Sequence, residues 1–280
     1  MTEREHSFFA GKVVIVNGGN RGLGREVALR LVGFGARVVI TGRTRHQGEA
    51  TLAELRAVDG AEALFVAMDG TRESEIMALH DEVIDAWGGF DLAINNLGVE
   101  DTPPGPLESS SEAVFDHCVA TKAKSAFLGM KHQILHLKGA GKGGAIVNVS
   151  SMIGLGGHAH VPAYTAANGA VQALTRSVAM EVARDGIRVN CVCPGAIDGS
   201  PMLLRFTGGS DGSGSGDDPA IAGEHYDGYQ QQAADTYPMG RLPSVGEVAD
   251  AVLFLLSPAA GGITGHCLPV DGGFVVNLSR

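Results

Sequence analysis

A doubly wound α/β sheet, parallel throughout and with helices on both faces, is the fold class predicted by three features of this sequence. Short apolar runs alternate with longer stretches of 3.6-residue periodicity. A glycine-rich turn, Asn17-Gly18-Gly19-Asn20-Arg21-Gly22-Leu23-Gly24, follows the first run. Later runs end in short polar or glycine motifs, where an open α/β sheet binds its ligands. With 280 residues, 44% of them hydrophobic, the chain suits one domain spanning residues 1–280.

The first strand is the run Val13, Val14, Ile15 and Val16, too short for a buried helix and too apolar for a sheet edge. Glu26, Val27, Ala28, Leu29, Leu31 and Val32 continue as a helix packed on it. Glycines between the two let the backbone approach a diphosphate at the free N–H groups of a helix N-terminus, so this stretch points to a dinucleotide. The second strand, Ala36 to Thr41, ends in Gly42-Arg43-Thr44-Arg45 with no acid to bind ribose hydroxyls. Arg43 and Arg21 suit a 2′-phosphate, which argues for NADP(H) over NAD(H); the alternative is that both are solvated surface charges.

A helix is expected over Gln47 to Val58 and a third strand over Glu62 to Met68. Asp69 then either accepts from an adenine amine or caps the next helix, a role open to Thr71 as well. That helix runs from Arg72 to Trp87, and a fourth strand from Asp91 to Asn95 leads into Asn96-Leu97-Gly98. Ser109 to Leu137 carries one long helical pattern, with Val114, Phe115, Cys118, Val119, Phe127, Leu128, Ile134 and Leu135 as core. Ala145 to Val149 is the fifth strand, ending in Ser150-Ser151, and Pro162 opens a helix to Ala183 as a first-turn proline can. Ile187 to Val192, Glu247 to Leu256 and His266 to Val270 complete the pattern as strand, helix and seventh strand. Between residues 200 and 238 the pattern fails, and Gly208 to Asp218 is a glycine, serine and aspartate run. It reads as a flexible insertion over the ligand side, either a substrate lid or an inert loop.

Composition excludes several functions. A formal charge of −10 disfavours nucleic acid, and no apolar run approaches a membrane span. The acidic N-terminus lacks the pattern of a signal peptide, so the cytoplasm is expected. Cys118, Cys191, Cys193 and Cys267 show no zinc spacing and are expected to be reduced, packed thiols, with no metal bound.

These motifs together resemble the short-chain dehydrogenase/reductase family from Gly11 to about Val276. The turn at residues 17–24 resembles its TGxxxGxG loop with Asn17 in place of Thr. Asn95-Asn96-Leu97-Gly98 resembles NNAG, and Ser151 stands thirteen residues before Tyr164, as the family's catalytic Ser does. The resemblance implies a single-domain Rossmann fold of seven parallel strands, usually a homotetramer or homodimer, that moves hydride between nicotinamide and a carbonyl or alcohol. In that scheme Tyr164 protonates the carbonyl oxygen and Ser151 polarises it. Cofactor contacts are implied for Gly18, Asn20, Arg21, Gly22, Leu23, Gly24, Arg43, Asp69, Asn95 and Gly98. Further contacts are implied for Tyr164, Asn168, Pro194, Gly195, Ile197 and Ser200, the last one place after Gly199 where the family has Thr.

One departure stands out. The family places Lys four residues after the Tyr, and an Asn five residues before a Phe in the preceding helix. Here those positions hold Asn168 and Lys122. The reciprocal exchange suggests a swapped pair, with the Lys122 ammonium lowering the phenol's pKa and Asn168 binding the ribose. The implied function is an NADP(H)-dependent ketoreductase or alcohol dehydrogenase of specialised metabolism. A different class, NADP(H) binding coupled to a non-redox rearrangement, elimination or regulation, is the alternative. His158, His160, Leu203, Leu204, Phe206, Tyr226 and Tyr229 suggest a bulky apolar or aromatic substrate.

Overall fold

A computed structural model of the chain describes residues 7–98, 104–200, 203, 231–233 and 235–277. Its centre is a seven-stranded sheet in the order β3-β2-β1-β4-β5-β6-β7. The strands are β1 (Val13–Asn17), β2 (Arg37–Gly42), β3 (Glu62–Ala67), β4 (Leu92–Asn95), β5 (Gly144–Val149), β6 (Ile187–Pro194) and β7 (Cys267–Val270). Every neighbouring pair is parallel. The order reverses between β1 and β4, so their carboxyl ends splay into the crevice where such sheets bind ligands.

Helices α1 (Gly22–Gly33), α2 (Arg45–Arg56), α3 (Glu73–Trp87), α4 (Glu112–Cys118), α5 (Ser125–Ala140), α6 (Pro162–Val182) and α7 (Val245–Leu256) connect the described strands. Val14, Val16, Val38 and Ile40 pack under Val27, Leu31, Leu55 and Leu253 on the face of α1, α2 and α7. On the other face Ile15, Val39, Ile146 and Val189 meet Leu79, Leu137 and Val182 of α3, α5 and α6. Alternate residues of one strand thus feed both cores, which is why β1 is apolar at every position from Val13 to Val16. Pro162 occupies the first turn of α6, as its fixed φ and missing N–H allow. Ser244 and Glu247 form a reciprocal capping box that starts α7.

Two expectations need correction. The long pattern after Ser109 is not one helix: a π turn over Val119–Lys124 separates α4 from α5. The extra residue rotates α5 relative to α4, so Phe127 and Leu135, read as core, are 50% and 61% exposed. Phe115 is exposed too, because α4 turns Val114 and Cys118 toward α6 instead. Pro194 extends β6 two residues past its expected end, pairing with Val270. Most of the expected lid, with Leu204, Phe206, Tyr226 and Tyr229, lies outside the described residues.

Candidate active site

The carboxyl ends of β1, β2, β4, β5 and β6 open onto one cavity of about 570 Å³. Gly18, Asn20, Arg21, Leu23, Arg43 and Asp69 line one end of it. Lys122, Ser151, Tyr164, Pro194, Gly195, Ile197 and Ser200 line the other, with Gly98 between them. Sequence positions far apart therefore converge because each sits at the same edge of a parallel sheet.

The first end is shaped by a glycine turn. Gly18 has φ +74°, and a Cβ there would lie 2.8 Å from the Asn96 carbonyl oxygen. A Cβ on Gly24 would come within 2.1 Å of the Gly18 carbonyl, so this glycine lets α1 pack against the turn. Gly22 and Gly24 shape that turn, and neither is among the residues that line the cavity. The first turn of α1 carries no acid, and its dipole and free N–H groups suit an anion. With Arg21 and Arg43 lining the same space, and no acid at the end of β2, these residues fit the phosphates of a dinucleotide.

Asp69 is not the cap of α3; Arg72 holds that position without a side-chain cap. Asp69 Oδ1 instead accepts from the Thr71 N–H at 3.0 Å and the Thr71 hydroxyl at 2.8 Å. Burial pushes its pKa up, but the Thr71 bonds and the charges of Arg43 and Arg72 outweigh it and hold the carboxyl below its ordinary value.

Asn95, expected at the cofactor, lies beneath the cavity instead. It joins a buried polar ladder across the sheet. Thr41 donates to Asn17 Oδ1, Asn17 to Asn95, and Asn95 to Asn148 and Gln133. Asn148 donates in turn to Thr175 on α6. The register Asn17↔Asn95↔Asn148 brings these amides side by side, and each buried group gains the partner that burial requires. Asn17 has its own place in the ladder where the family pattern has Thr.

The second end is built from side chains. Ser151 starts a short 3₁₀ turn, Met152–Leu155, and its hydroxyl accepts from the Ile153 N–H at 3.3 Å. Gln172 Nε2 donates to the Ser151 carbonyl at 2.9 Å and to the Ser150 hydroxyl at 3.1 Å, fixing this loop against α6. Gln172 was not singled out from the sequence, although it lies two turns beyond Tyr164 on the same helix face. Beyond β6, the buried Tyr237 hydroxyl accepts from the Ala196 N–H at 3.1 Å and anchors the loop leading to Ile197.

Lys122 does not point to solvent. It lies in the π turn, 5% exposed, and Nζ donates to the Val149 carbonyl at 3.2 Å. Burial lowers its pKa from 10.5 to about 8, opposed by the thiols of Cys191 and Cys193. Tyr164 runs the other way from the expected lowering. Burial raises the phenol above its ordinary value, against hydrogen bonding from Ser151 and Asn168.

Asn168 is the remaining correction. It is wholly buried and does not line the cavity, so its amide is not presented to a ribose. Its Nδ2 donates to the Tyr164 main-chain carbonyl at 2.9 Å, and the Ser150 hydroxyl donates to the main-chain carbonyl of Asn168 at 3.0 Å and lies 3.4 Å from its Oδ1. Lysine at that position would need to leave this pocket for the cavity; asparagine stays inside it, with its amide bonded to the Tyr164 carbonyl one turn back. The exchange is therefore reciprocal in sequence but not in geometry.

Comparison with known proteins agrees with this architecture. The short chain dehydrogenase family model matches residues 12–207, and the model described as enoyl-(acyl carrier protein) reductase matches residues 217–275. The chain is 36% identical to the cis-4-hydroxycyclohexanecarboxylate dehydrogenase of Sinomonas cyclohexanicum, covering 95% of this chain and 97% of that one. It is 34% identical to the 2,5-dichloro-2,5-cyclohexadiene-1,4-diol dehydrogenase of Sphingobium indicum, over 96% and 98%. The structure of L-sorbose reductase from Gluconobacter frateurii, complexed with NADPH and L-sorbose, superimposes with TM-score 0.85 at 26% identity, covering 96% of this chain and 98% of that one.

Proposed function

The chain belongs to the short-chain dehydrogenase family, and on that premise we propose that it is an NADP(H)-dependent reductase of ring ketones in specialised metabolism. The observation that carries this reading is one cavity shared by the α1 N-terminus, two arginines, Ser151, Tyr164 and a buried lysine. A ring substrate is supported by the two relatives named for six-membered cyclic alcohols. NADP(H) is supported by Arg21 and Arg43 and by the NADPH held by the sorbose reductase.

When bound, the nicotinamide supplies the hydride. Tyr164 passes its hydroxyl proton to the substrate's carbonyl oxygen while the Ser151 hydroxyl donates a hydrogen bond to the same atom. Burial keeps the phenol protonated at neutral pH, the form that reduction requires. Proton transfer leaves negative charge in the cavity. Lys122, held in its wall, is the cation that offsets it. Asn168 is a positioning residue, its amide donating to the Tyr164 main-chain carbonyl.

Phe115 and Phe127 are exposed apolar side chains of α4 and α5, and these helices are the surface that a second copy of the chain covers in a homodimer or homotetramer. All four cysteines are thiols, in keeping with a reducing, cytoplasmic setting.

The test follows NADPH absorbance with a panel of cyclic ketones. Parent protein is expected to oxidise NADPH with at least one of them, and Lys122→Ala to lose about a hundredfold in kcat. Tight NADPH binding without turnover on any ketone would move the assignment to non-redox chemistry. Unchanged turnover in Lys122→Ala would remove the lysine from the mechanism.

A further inference from the structure

Behind the cavity wall, β6 and β7 bring together three thiols that the proposed reduction does not use. Cys191 and Cys193 are alternate residues of β6 and face the same side, and the register sets Cys267 of β7 beside Cys191. All three Sγ atoms lie within 4.8 Å of one another, and those of Cys191 and Cys193 are 3.8 Å apart. A metal bonded to thiolates at about 2.3 Å spaces its sulfurs by about 4.0 Å in a trigonal plane. The triangle already present needs only sub-ångström adjustment to close on one ion.

The three sulfurs also have polar and charged neighbours. Arg176 Nη1 donates to Cys267 Sγ at 3.5 Å, and Gln172 Nε2, bonded to the serine loop, lies 3.5 Å from Cys193 Sγ. Lys122 brings a second positive charge to Cys191 and Cys193. Such N–H donors and cations are the outer shell that holds and tunes metal ligands. Among the described residues the cluster contains no carboxylate or imidazole. That excludes a hard cation, which takes oxygen ligands, and leaves Zn(II) short of its usual fourth ligand.

We propose that Cys191, Cys193 and Cys267 form a three-thiolate site for Cu(I). Soft thiolates select this ion, and three of them complete its coordination. As Cu(I) enters, the thiol protons leave to solvent and three S–Cu bonds form with no change of oxidation state. The complex carries two negative charges, which Arg176 and Lys122 offset. Access is from the sheet edge, where β7 is the last strand, Cys267 is half-buried and Arg176 is exposed.

The test is an anaerobic titration of the full chain, reduced with a phosphine, into the coloured Cu(I)–bicinchoninate complex. One Cu(I) withdrawn per chain is expected, with a thiolate-to-copper charge-transfer band in the ultraviolet. Cys193→Ser and Cys267→Ser are expected to abolish withdrawal, and Cys118→Ser, in a separate packing cluster, to leave it intact. Arg176→Met keeps all three sulfurs and alters only an exposed side chain, and it should weaken Cu(I) binding by about tenfold with the circular dichroism unchanged. No withdrawal by the parent, equal withdrawal by the serine variants, unaltered affinity in Arg176→Met, or preference for Zn(II) over Cu(I) would each overturn the assignment.

Discussion

The two ends of the cavity are constructed differently. At the β1 end the cavity is shaped by a glycine turn and the first turn of α1, so its form follows the backbone's path. At the β5 end they are side chains, Ser151, Tyr164 and Lys122, each held by further side chains such as Gln172 and Asn168. A backbone-built site tolerates exchange of its neighbours: Asn17 replaces the family's Thr and simply extends a buried amide ladder. A side-chain-built site does not, because moving one charge from α6 to the π turn alters what every neighbour sees.

This contrast predicts that the two ends fail separately. Tyr164→Phe removes the proton donor and should lower kcat by about a thousandfold, while fluorescence titration finds NADPH affinity unchanged. Parallel loss of affinity would show that the ends are one unit. At the other end, the combined change Arg21→Ala and Arg43→Ala should weaken NADPH by about thirtyfold, the scale of one or two charge-assisted hydrogen bonds. NADH binding and the kcat at saturation should hardly move. Equal losses for both cofactors would deny the arginines a 2′-phosphate role.

The smallest effect concerns stability. The pKa of Lys122 falls from 10.5 to about 8 on folding, so between those values the unfolded chain binds more protons than the folded one. Stability therefore rises with pH through that window, and below about pH 8 the full cost of burying the ammonium is present. Lys122→Met should gain about 2 kcal/mol in urea denaturation at pH 7, after allowing for the lost bond to Val149. The gain should shrink toward pH 10.5. A constant or negative difference across that range would contradict the burial cost.

Much of the fold was legible because parallel strands buried on both faces leave continuous apolar runs, as at residues 13–16 and 38–40. The π turn was not, since one inserted residue leaves the apolar composition of residues 109–137 unchanged while rotating Phe127 outward. Helical spacing set Asn168 one turn after Tyr164, but only the packing of β5's end against α6, with the Ser150 hydroxyl 3.4 Å from its Oδ1, decides that its amide is buried. Asn95 was misread for a similar reason: its motif resembles a cofactor loop, and its partners Asn17, Gln133 and Asn148 lie at least 38 positions away.

The order of residues alone determined the strand and helix alternation, the glycine turn and the displacement of the lysine, because hydrophobic period and local backbone chemistry are written over a few neighbouring positions. Only tertiary structure decided that Lys122 is buried in the cavity wall, that Asn168 is sealed beneath it, and that Cys267 completes a triangle with Cys191 and Cys193. Those outcomes depend on register and helix rotation between distant segments, which burial of the whole sheet selects and no local stretch encodes.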